Sequence, residues 1–178
     1  MSDSIYQPHD HSRCIQHALA SAKALCQQRG VRLTPIRQRV LELVWQSHKP
    51  MGAYDLLPTL ADEGFNSAPP TVYRALDFLL ELGLVHRLAS LNAYIGCTQP
   101  EVHSAESGDA EGASMFFLIC QSCGLAEEIH RTEEWLDLMQ QLSAAHKFKI
   151  QQSMTEISGV CSQCQSMQSQ GRDNNSHE

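Results

Sequence analysis

Two pairs of cysteines carry the most specific chemistry in this sequence of 178 residues. Each pair has the spacing Cys-x-x-Cys, and about forty residues separate the first pair, Cys120 and Cys123, from the second, Cys161 and Cys164. This spacing lets four thiolates surround one zinc ion, and four protein ligands leave no open position for water or substrate. We therefore predict a structural zinc site rather than a catalytic one. Two disulfides or a redox-active dithiol are the alternatives.

Composition indicates the compartment and the class of protein. Hydrophobic residues make up 42% of the chain, which is enough for a core. The sequence contains neither the ~18-residue apolar run of a membrane span nor the basic and apolar regions of a signal peptide at its N-terminus. We expect a cytoplasmic protein that contacts no membrane, because cysteines stay reduced and available to metals there. Seven cysteines are also too few for a disulfide scaffold.

Charge divides the chain into two chemically different halves. The net charge is −7. Residues 1–98 nevertheless contain nine Lys and Arg against eight Asp and Glu, whereas residues 99–178 contain four against twelve. An acidic surface repels phosphates, so any contact with DNA must come from the first half.

The first half has the pattern of a winged helix-turn-helix. Helical periodicity over residues 11–28 predicts a first helix. A second helix begins at Thr34 and Pro35, and we expect the Thr34 hydroxyl to cap it. A third, short helix over 53–63 and a fourth that begins at 69 and ends at Gly83 precede two strands, at 84–88 and 93–97. Helices followed by a β-hairpin are typical of this DNA-binding fold.

The start of the fourth helix offers the groups that read a major groove. Thr71, Tyr73 and Arg74 lie in its first turns beside free backbone amides, and an arginine can bond the edge of a guanine. We predict base contacts from Tyr73 and Arg74. The candidates for phosphate and groove contacts are Tyr54, Arg32, Arg37 and Arg39.

The second half predicts a small α/β domain around the cysteines. Residues 104–114 are small and acidic, as in a loop, and strands are expected at 115–119, 125–129 and 148–157, with a helix at 132–146. Such a domain is too small to bury its own core, so we expect dimerisation through a shared sheet.

The whole is an α+β protein with a disordered N-terminus (1–10), a DNA-binding domain (11–98), a hinge and loop (99–114), a dimerisation and metal-binding domain (115–164) and a disordered tail (165–178).

Several stretches together resemble one family of regulators. They are residues 32–37 (Arg-Leu-Thr-Pro-Ile-Arg), 53–57, 69–77 (Pro-Pro-Thr-Val-Tyr-Arg-Ala-Leu-Asp), 84–87, 119–124 and 159–164. Over about residues 15–165 the sequence resembles the ferric uptake regulator family, and most closely its zinc uptake regulator branch. The resemblance implies a homodimeric repressor of operator DNA that is not an enzyme and takes no small molecule other than its metal ion.

The resemblance also implies two zinc ions per subunit. The structural ion falls on the four cysteines named above. The regulatory ion, at the hinge between the domains, falls on His86, Cys97, His103 and Glu128. His130 is an alternative to His103, and Glu127 is an alternative to Glu128 if the strand register slips.

The sequence departs from the broader family where a further metal site is often found. Met115 and Phe117 replace a His-x-His pattern, and Gln152 stands near the place of another histidine. These replacements argue against iron or peroxide sensing, which is the closest alternative function, and against that third zinc site. The sequence assigns no role to Cys14, Cys26 or the N-terminal histidines.

A mechanism follows from the expected ligands. His86 belongs to the DNA-binding half and Glu128 to the dimerisation half, so a zinc ion that holds both would fix the angle between two domains. We therefore expect zinc to set the separation of two recognition helices to match the half-sites of an operator. A thiol oxidoreductase and a zinc scaffold without a DNA role are the alternatives from other classes.

Overall fold

The computed structural model describes residues 11–100, 113–129, 132–150 and 152–173. In residues 11–100 the N-terminal half forms four α-helices and one short 3-10 helix. Their order is α1 (His11–Gln28), α2 (Pro35–Val44), the 3-10 helix (Ala53–Leu56), α3 (Leu57–Asp62) and α4 (Pro69–Glu81). A two-stranded antiparallel hairpin of β1 (Val85–Leu88) and β2 (Ala93–Gly96) follows them as the wing.

Sequence signals explain where these helices begin. Pro35 lies in the first turn of α2 and Pro69 and Pro70 in the first turn of α4, where the missing amide hydrogen costs nothing. Thr34 is the residue before α2, as predicted, but its hydroxyl makes no capping hydrogen bond; its backbone carbonyl accepts from the amide of Gln38 instead. Pro58 divides the third helical segment into a 3-10 turn and α3.

The apolar faces of these helices form one core. Side chains fully shielded from solvent come from α2, α3 and α4, and they include Val40, Leu41, Leu60, Val72, Leu76 and Leu79. The wing joins this core through Leu84 and Val85, which are each 1% exposed. The base of the wing is therefore fixed to the core that includes α4.

The described residues of the C-terminal half form a three-stranded sheet and two helices. β3 (Ala113–Cys120) lies between β4 (Ala126–Ile129), which is antiparallel to it, and β5 (Gln152–Gly159), which is parallel to it. Helix α5 (Glu133–His146) connects β4 to β5, and α6 (Ser162–Asp173) follows β5. These elements confirm the predicted α+β class.

The last helix differs from the sequence expectation. Residues 165–173 were predicted to be disordered because they are rich in Gln and Ser, but they continue the helix that begins at Ser162. The second cysteine pair begins this helix: the amide of Gln165 donates to the carbonyl of Cys161 at 2.9 Å. The Ser166 hydroxyl adds a bond to the Ser162 carbonyl. Because the turn at Cys161 already fixes the first residues of this helix, the free-energy cost of nucleating it is lower.

The two halves touch through a second apolar cluster. Leu88 and Ile95 of the wing are buried against Met115, Phe117 and Ile119 of β3. The wing is thus packed between the helical core and the sheet. No helix in the described part of the chain is long and apolar enough to cross a membrane.

Candidate metal centres and nucleic-acid interface

The four cysteines meet at one end of the C-terminal sheet. Cys120 ends β3 and is paired with Gly159 at the end of the parallel strand β5, so the two Cys-x-x-Cys turns leave the sheet side by side. The first turn closes at Gly124, whose φ of +76° favours glycine. All four sulfur atoms lie within 4.8 Å of one another.

These distances fit a zinc ion. The sulfurs of Cys123 and Cys161 are 3.9 Å apart. A tetrahedral site with Zn–S bonds of about 2.3 Å places its sulfurs about 3.8 Å apart. A disulfide needs about 2.05 Å, and all seven cysteines are free thiols. The geometry therefore favours a metal over the disulfide alternative.

The protonation of the thiols also favours a cation. The amide of Cys161 donates to the sulfur of Cys120 at 3.3 Å, and this bond is the main cause that lowers the pKa of Cys120 to about 6. The hydrogen bond with Cys161, followed by burial, raises the pKa of Cys164 to about 12. Four thiolates this close to one another repel, so a divalent cation between them favours the ionisation of all four.

A second cluster joins the wing to the C-terminal sheet. His86 lies in β1, Cys97 directly follows β2, and Glu128 lies in β4. Their ligand atoms lie within 4.8 Å of one another. Nε2 of His86 is 3.3 Å from Oε1 of Glu128, and each of these side chains is 5% exposed. An imidazole, a thiolate and a carboxylate are ligands that suit zinc.

The strands position each member of this hinge cluster. The amide of Cys97 donates to the carbonyl of Leu84 at 3.0 Å, which continues the hairpin pairing up to the thiol. Glu128 faces Phe117 across the β3–β4 ladder, and the Phe117 ring lies 5.4 Å from the His86 ring. Oε2 of Glu128 accepts hydrogen bonds of 2.8 Å from both the amide and the hydroxyl of Thr98.

Strand geometry separates Glu128 from the neighbouring carboxylate. Glu127 pairs with Leu118, and successive side chains on a strand point to opposite faces of the sheet. The structure therefore brings Glu128, and not Glu127, to His86 and Cys97. His103 and its alternative His130 lie outside the described residues.

A third cluster was not found by sequence reasoning. His11 and Cys14 of α1 meet His48, in the segment that follows α2, with their ligand atoms within 4.8 Å of one another. Positions 11 and 14 are neighbours on one face of a helix, which is a readable signal. Their approach to His48, far along the chain, depends on how α1 packs and carries no local signature.

Two predicted DNA-contact tyrosines lie together on the surface. Tyr54, at the 3-10 helix, is 66% exposed, and Tyr73 of α4 is 36% exposed. Their rings meet edge to face with centroids 6.4 Å apart. Arg74 is exposed and Thr71 half-buried in the first turns of α4. These four residues therefore form one surface at the start of that helix.

The three predicted phosphate-contact arginines differ in their surroundings. Arg32 is exposed. Arg37 donates to the carbonyl of Arg32 at 2.7 Å, and its guanidinium lies 3.6 Å above the Phe78 ring. Arg39 forms two hydrogen bonds with Glu63, of 2.7 and 2.6 Å.

Arg39 also bonds a second carboxylate, Glu42, at 2.9 Å. The bonds with Glu63 are the main cause that raises the pKa of Arg39. These two carboxylates neutralise the positive charge of Arg39, which would otherwise attract a phosphate. Arg39 is thus the least suited of the three to contact DNA.

Further hydrogen bonds hold the two halves together beside the hinge cluster. The carboxylate of Glu156 in β5 accepts from the amides of Ala89 and Ser90 at the turn of the wing, at 2.6 and 3.0 Å, and from the Ser90 hydroxyl. The amide of Ala126 in β4 donates to the carbonyl of His48 at 3.0 Å. Contacts between the halves thus exist at the turn of the wing and at the segment that follows α2.

Comparison with known proteins gives a consistent result at the level of sequence. A family model described as the ferric uptake regulator family matches residues 28–158. The zinc uptake regulation protein of Escherichia coli (strain K12) is 41% identical over 152 residues, which cover 84% of this chain and 82% of that protein. The peroxide operon regulator of Bacillus subtilis (strain 168) is 31% identical over 150 residues, covering 83% of this chain and 94% of that protein.

Solved structures show the same relationship. A structure of a zinc uptake regulator complexed with zinc and DNA superposes with a TM-score of 0.75 at 37% identity, covering 87% of this chain and 97% of that one. The crystal structure of holo XcZur superposes with a TM-score of 0.71 at 38% identity, covering 85% of this chain and 99% of that one. Both similarities extend across most of the chain.

Proposed function

The chain belongs to the ferric uptake regulator family, as its motifs predict, and on that premise we propose that it is a zinc-responsive transcriptional repressor. It binds operator DNA as a homodimer when a regulatory zinc site is filled, and it controls genes of zinc uptake and homeostasis. The observation that carries this proposal is the hinge cluster of His86, Cys97 and Glu128, which takes ligands from both halves of the chain.

We propose two zinc sites for this function. The structural site consists of Cys120, Cys123, Cys161 and Cys164, whose four thiolates close the coordination sphere. The regulatory site consists of the hinge cluster with a fourth ligand from His103 or His130. Because it contains one thiolate instead of four, the regulatory site binds zinc less tightly and releases it first when zinc becomes scarce.

Zinc bound at the hinge cluster would set the angle between the DNA-binding domain and the C-terminal domain. A zinc ion held by His86, Cys97 and Glu128 would have ligands on both sides of the hinge. It would fix the wing, and with it α4, relative to the C-terminal sheet. A change from mostly inactive to mostly active needs a differential binding free energy of about 3–5 kcal/mol, which is within reach of one coordination site.

The C-terminal half has the exposed apolar surface that a dimer would cover. Helix α5 has no buried side chain, and its Leu138 and Leu142 are 44% and 43% exposed. Ile157 of β5 is 48% exposed. Large exposed apolar side chains on neighbouring elements are typical of an interface, which supports a homodimer formed through this half.

The surface at the start of α4 is the proposed DNA interface. Arg74 and Tyr73 are the base contacts, with Thr71 and Tyr54 beside them and Arg32 and Arg37 on phosphates. Arg39 is retained as a weak candidate because Glu63 and Glu42 hold it. In a dimer the two α4 helices would enter successive major grooves when the hinge is closed.

A peroxide- or iron-responsive regulator is the second candidate, because the Bacillus subtilis peroxide operon regulator is a relative at 31% identity. The ligand set argues for zinc. A buried thiolate at the hinge, from Cys97, prefers zinc to the harder metals that carboxylates and imidazoles alone would suit.

One experiment tests the proposal and its competitor together. Purified protein is titrated with labelled operator DNA in buffers of fixed free zinc, and parallel titrations use iron(II) or manganese(II) with and without peroxide. We expect affinity for the operator to rise with free zinc and to be insensitive to peroxide. Binding that ignores zinc, or that peroxide abolishes in the iron form, would overturn the proposal.

A further inference from the structure

The cluster of His11, Cys14 and His48 has the composition of a transition-metal site. It contains two imidazoles and one thiol, and their ligand atoms lie within 4.8 Å of one another. It shares no residue with the four-cysteine site or with the hinge cluster. From this geometry we propose that His11, Cys14 and His48 form a third zinc site, in addition to the two sites of the proposed function.

Three different features of the fold bring these residues together. His11 begins α1, and Cys14 lies one turn later on the same face. Cys14 is half-buried and packs against the helical core, which fixes that face toward α2. His48 follows the end of α2, so the packing of the two helices delivers it to the pair.

The position of the His48 ring is well defined. Its centroid lies 5.0 Å from that of His11, with an angle of 52° between the planes, so the two rings converge without stacking. Trp45 meets the His48 ring edge to face with centroids 6.3 Å apart. His48 is 8% exposed, and Nδ1 of His11 is shielded from solvent.

Burial of His48 is unusual within this structure. Among the described residues, the polar or charged residues that are buried as whole residues are His48 and His86. Each of these two histidines lies in a cluster with a cysteine. His48 and His86 thus share the same arrangement, a buried imidazole beside a thiol, and these are ligand types that zinc takes.

The ligand set selects zinc and predicts its affinity. A thiolate with two imidazoles suits zinc better than calcium, magnesium or manganese, which prefer oxygen. Three protein ligands in the described part of the chain leave a fourth position for water. The site therefore binds more weakly than the four-cysteine site and fills at higher free zinc.

The location of the site links it to the hinge. The carbonyl of His48 accepts a hydrogen bond from the amide of Ala126, two residues before Glu128 in β4. A zinc ion on His48 would therefore hold α1 to a segment that contacts β4 of the C-terminal half. This consequence rests on the proposed function, whereas the existence of the site does not.

The zinc content of full-length variants tests the site. Wild-type protein, Cys14→Ser, His48→Gln and Cys97→Ser are equilibrated at saturating zinc, passed over a desalting column in buffer of fixed free zinc, and analysed for metal per subunit. We expect three zinc ions in the wild type and two in each variant. His17→Gln is the matched control, because His17 is an exposed histidine of the same helix outside the cluster, and it should keep three.

Cobalt(II) provides an independent readout if a variant loses stability. In Cys97→Ser protein that retains its structural zinc, added cobalt should give a thiolate-to-cobalt charge-transfer band. That band should be absent from the double variant that carries both Cys97→Ser and Cys14→Ser. Its absence from Cys97→Ser, or its persistence without Cys14, would refute the third site.

The two proposals can fail separately. If Cys97→Ser loses one zinc ion while Cys14→Ser and His48→Gln keep the wild-type number, the third site is wrong and the proposed function stands. If Cys14→Ser loses one zinc ion but Cys97→Ser loses none, the regulatory assignment is wrong and the third site stands.

Discussion

Nε2 of His86 lies 3.3 Å from Oε1 of Glu128, although the two residues belong to different halves of the chain. The other oxygen of Glu128 is fixed by Thr98, so the carboxylate cannot turn freely toward or away from the imidazole. Glu128 can therefore offer Oε1 to a cation that His86 also binds while Thr98 holds its other oxygen.

Replacing the thiol of this hinge should remove regulation without unfolding the protein. In Cys97→Ser, a hydroxyl replaces the thiolate, and loss of a ligand should weaken regulatory zinc binding by more than the ~10–100-fold that loss of an outer partner costs. Operator binding at fixed free zinc measures the effect. Cys26→Ala, which changes another buried cysteine of the same half, should respond to zinc as the wild type does. A zinc-responsive Cys97→Ser would refute the regulatory role.

Glu128→Gln and Glu127→Gln are a matched pair on one strand. Glu128→Gln removes the charge beside His86 and should weaken regulatory zinc binding about tenfold or more. Glu127→Gln makes the same chemical change on the other face of the sheet and should leave zinc binding unchanged. Competition with a chromophoric chelator measures both affinities. Equal losses in the two variants would show that general charge, and not coordination, is responsible.

Loss of one structural thiolate should unfold the C-terminal half. A structural zinc in small domains supplies about 10–16 kcal/mol of apparent binding free energy, more than the stability of most domains. Cys120→Ser should therefore lose zinc, dimerisation and the thermal transition of this half, as followed by circular dichroism and gel filtration. Ser122→Ala alters an exposed residue of the same turn without removing a ligand or an amide, and it should remain a folded dimer. A stable, dimeric Cys120→Ser would contradict the structural role.

Two arginines of the DNA-binding half should differ in their importance. Arg74→Ala should cost about 1–3 kcal/mol of specific binding, because Arg74 is exposed at the start of α4 and is the candidate base contact. Arg39→Ala should cost much less, because Glu63 and Glu42 already hold that guanidinium. Titration of operator and of random DNA at one salt concentration measures both. A larger loss for Arg39→Ala would reverse the assignment.

The sequence predicted the elements that depend on short spacings. The two Cys-x-x-Cys turns, the prolines that begin α2 and α4, and the hairpin after Gly83 all depend on residues within a few positions of one another. Each of these signals has a local physical cause, such as a fixed φ or a tight turn. For this reason the order of the helices and strands follows from the sequence.

What the sequence missed depends on contacts between distant residues. The ion pair of Arg39 with Glu63 forms only when α2 and α3 are packed, so Arg39 looked as available as Arg32. The approach of His48 to α1 has the same origin. The helix over 165–173 was missed because composition favours disorder there, whereas the anchored turn at Cys161 favours helix.

The carboxylate of Glu156 accepts hydrogen bonds from the turn of the wing, and Glu156 belongs to none of the three candidate metal clusters. Removal of zinc would therefore release the hinge cluster while this carboxylate, together with the apolar packing of Leu88 and Ile95 on β3, still holds the wing to the sheet. We expect the metal-poor protein to keep its two halves in contact, so that recovery after zinc returns requires ion binding and not a new encounter of the halves.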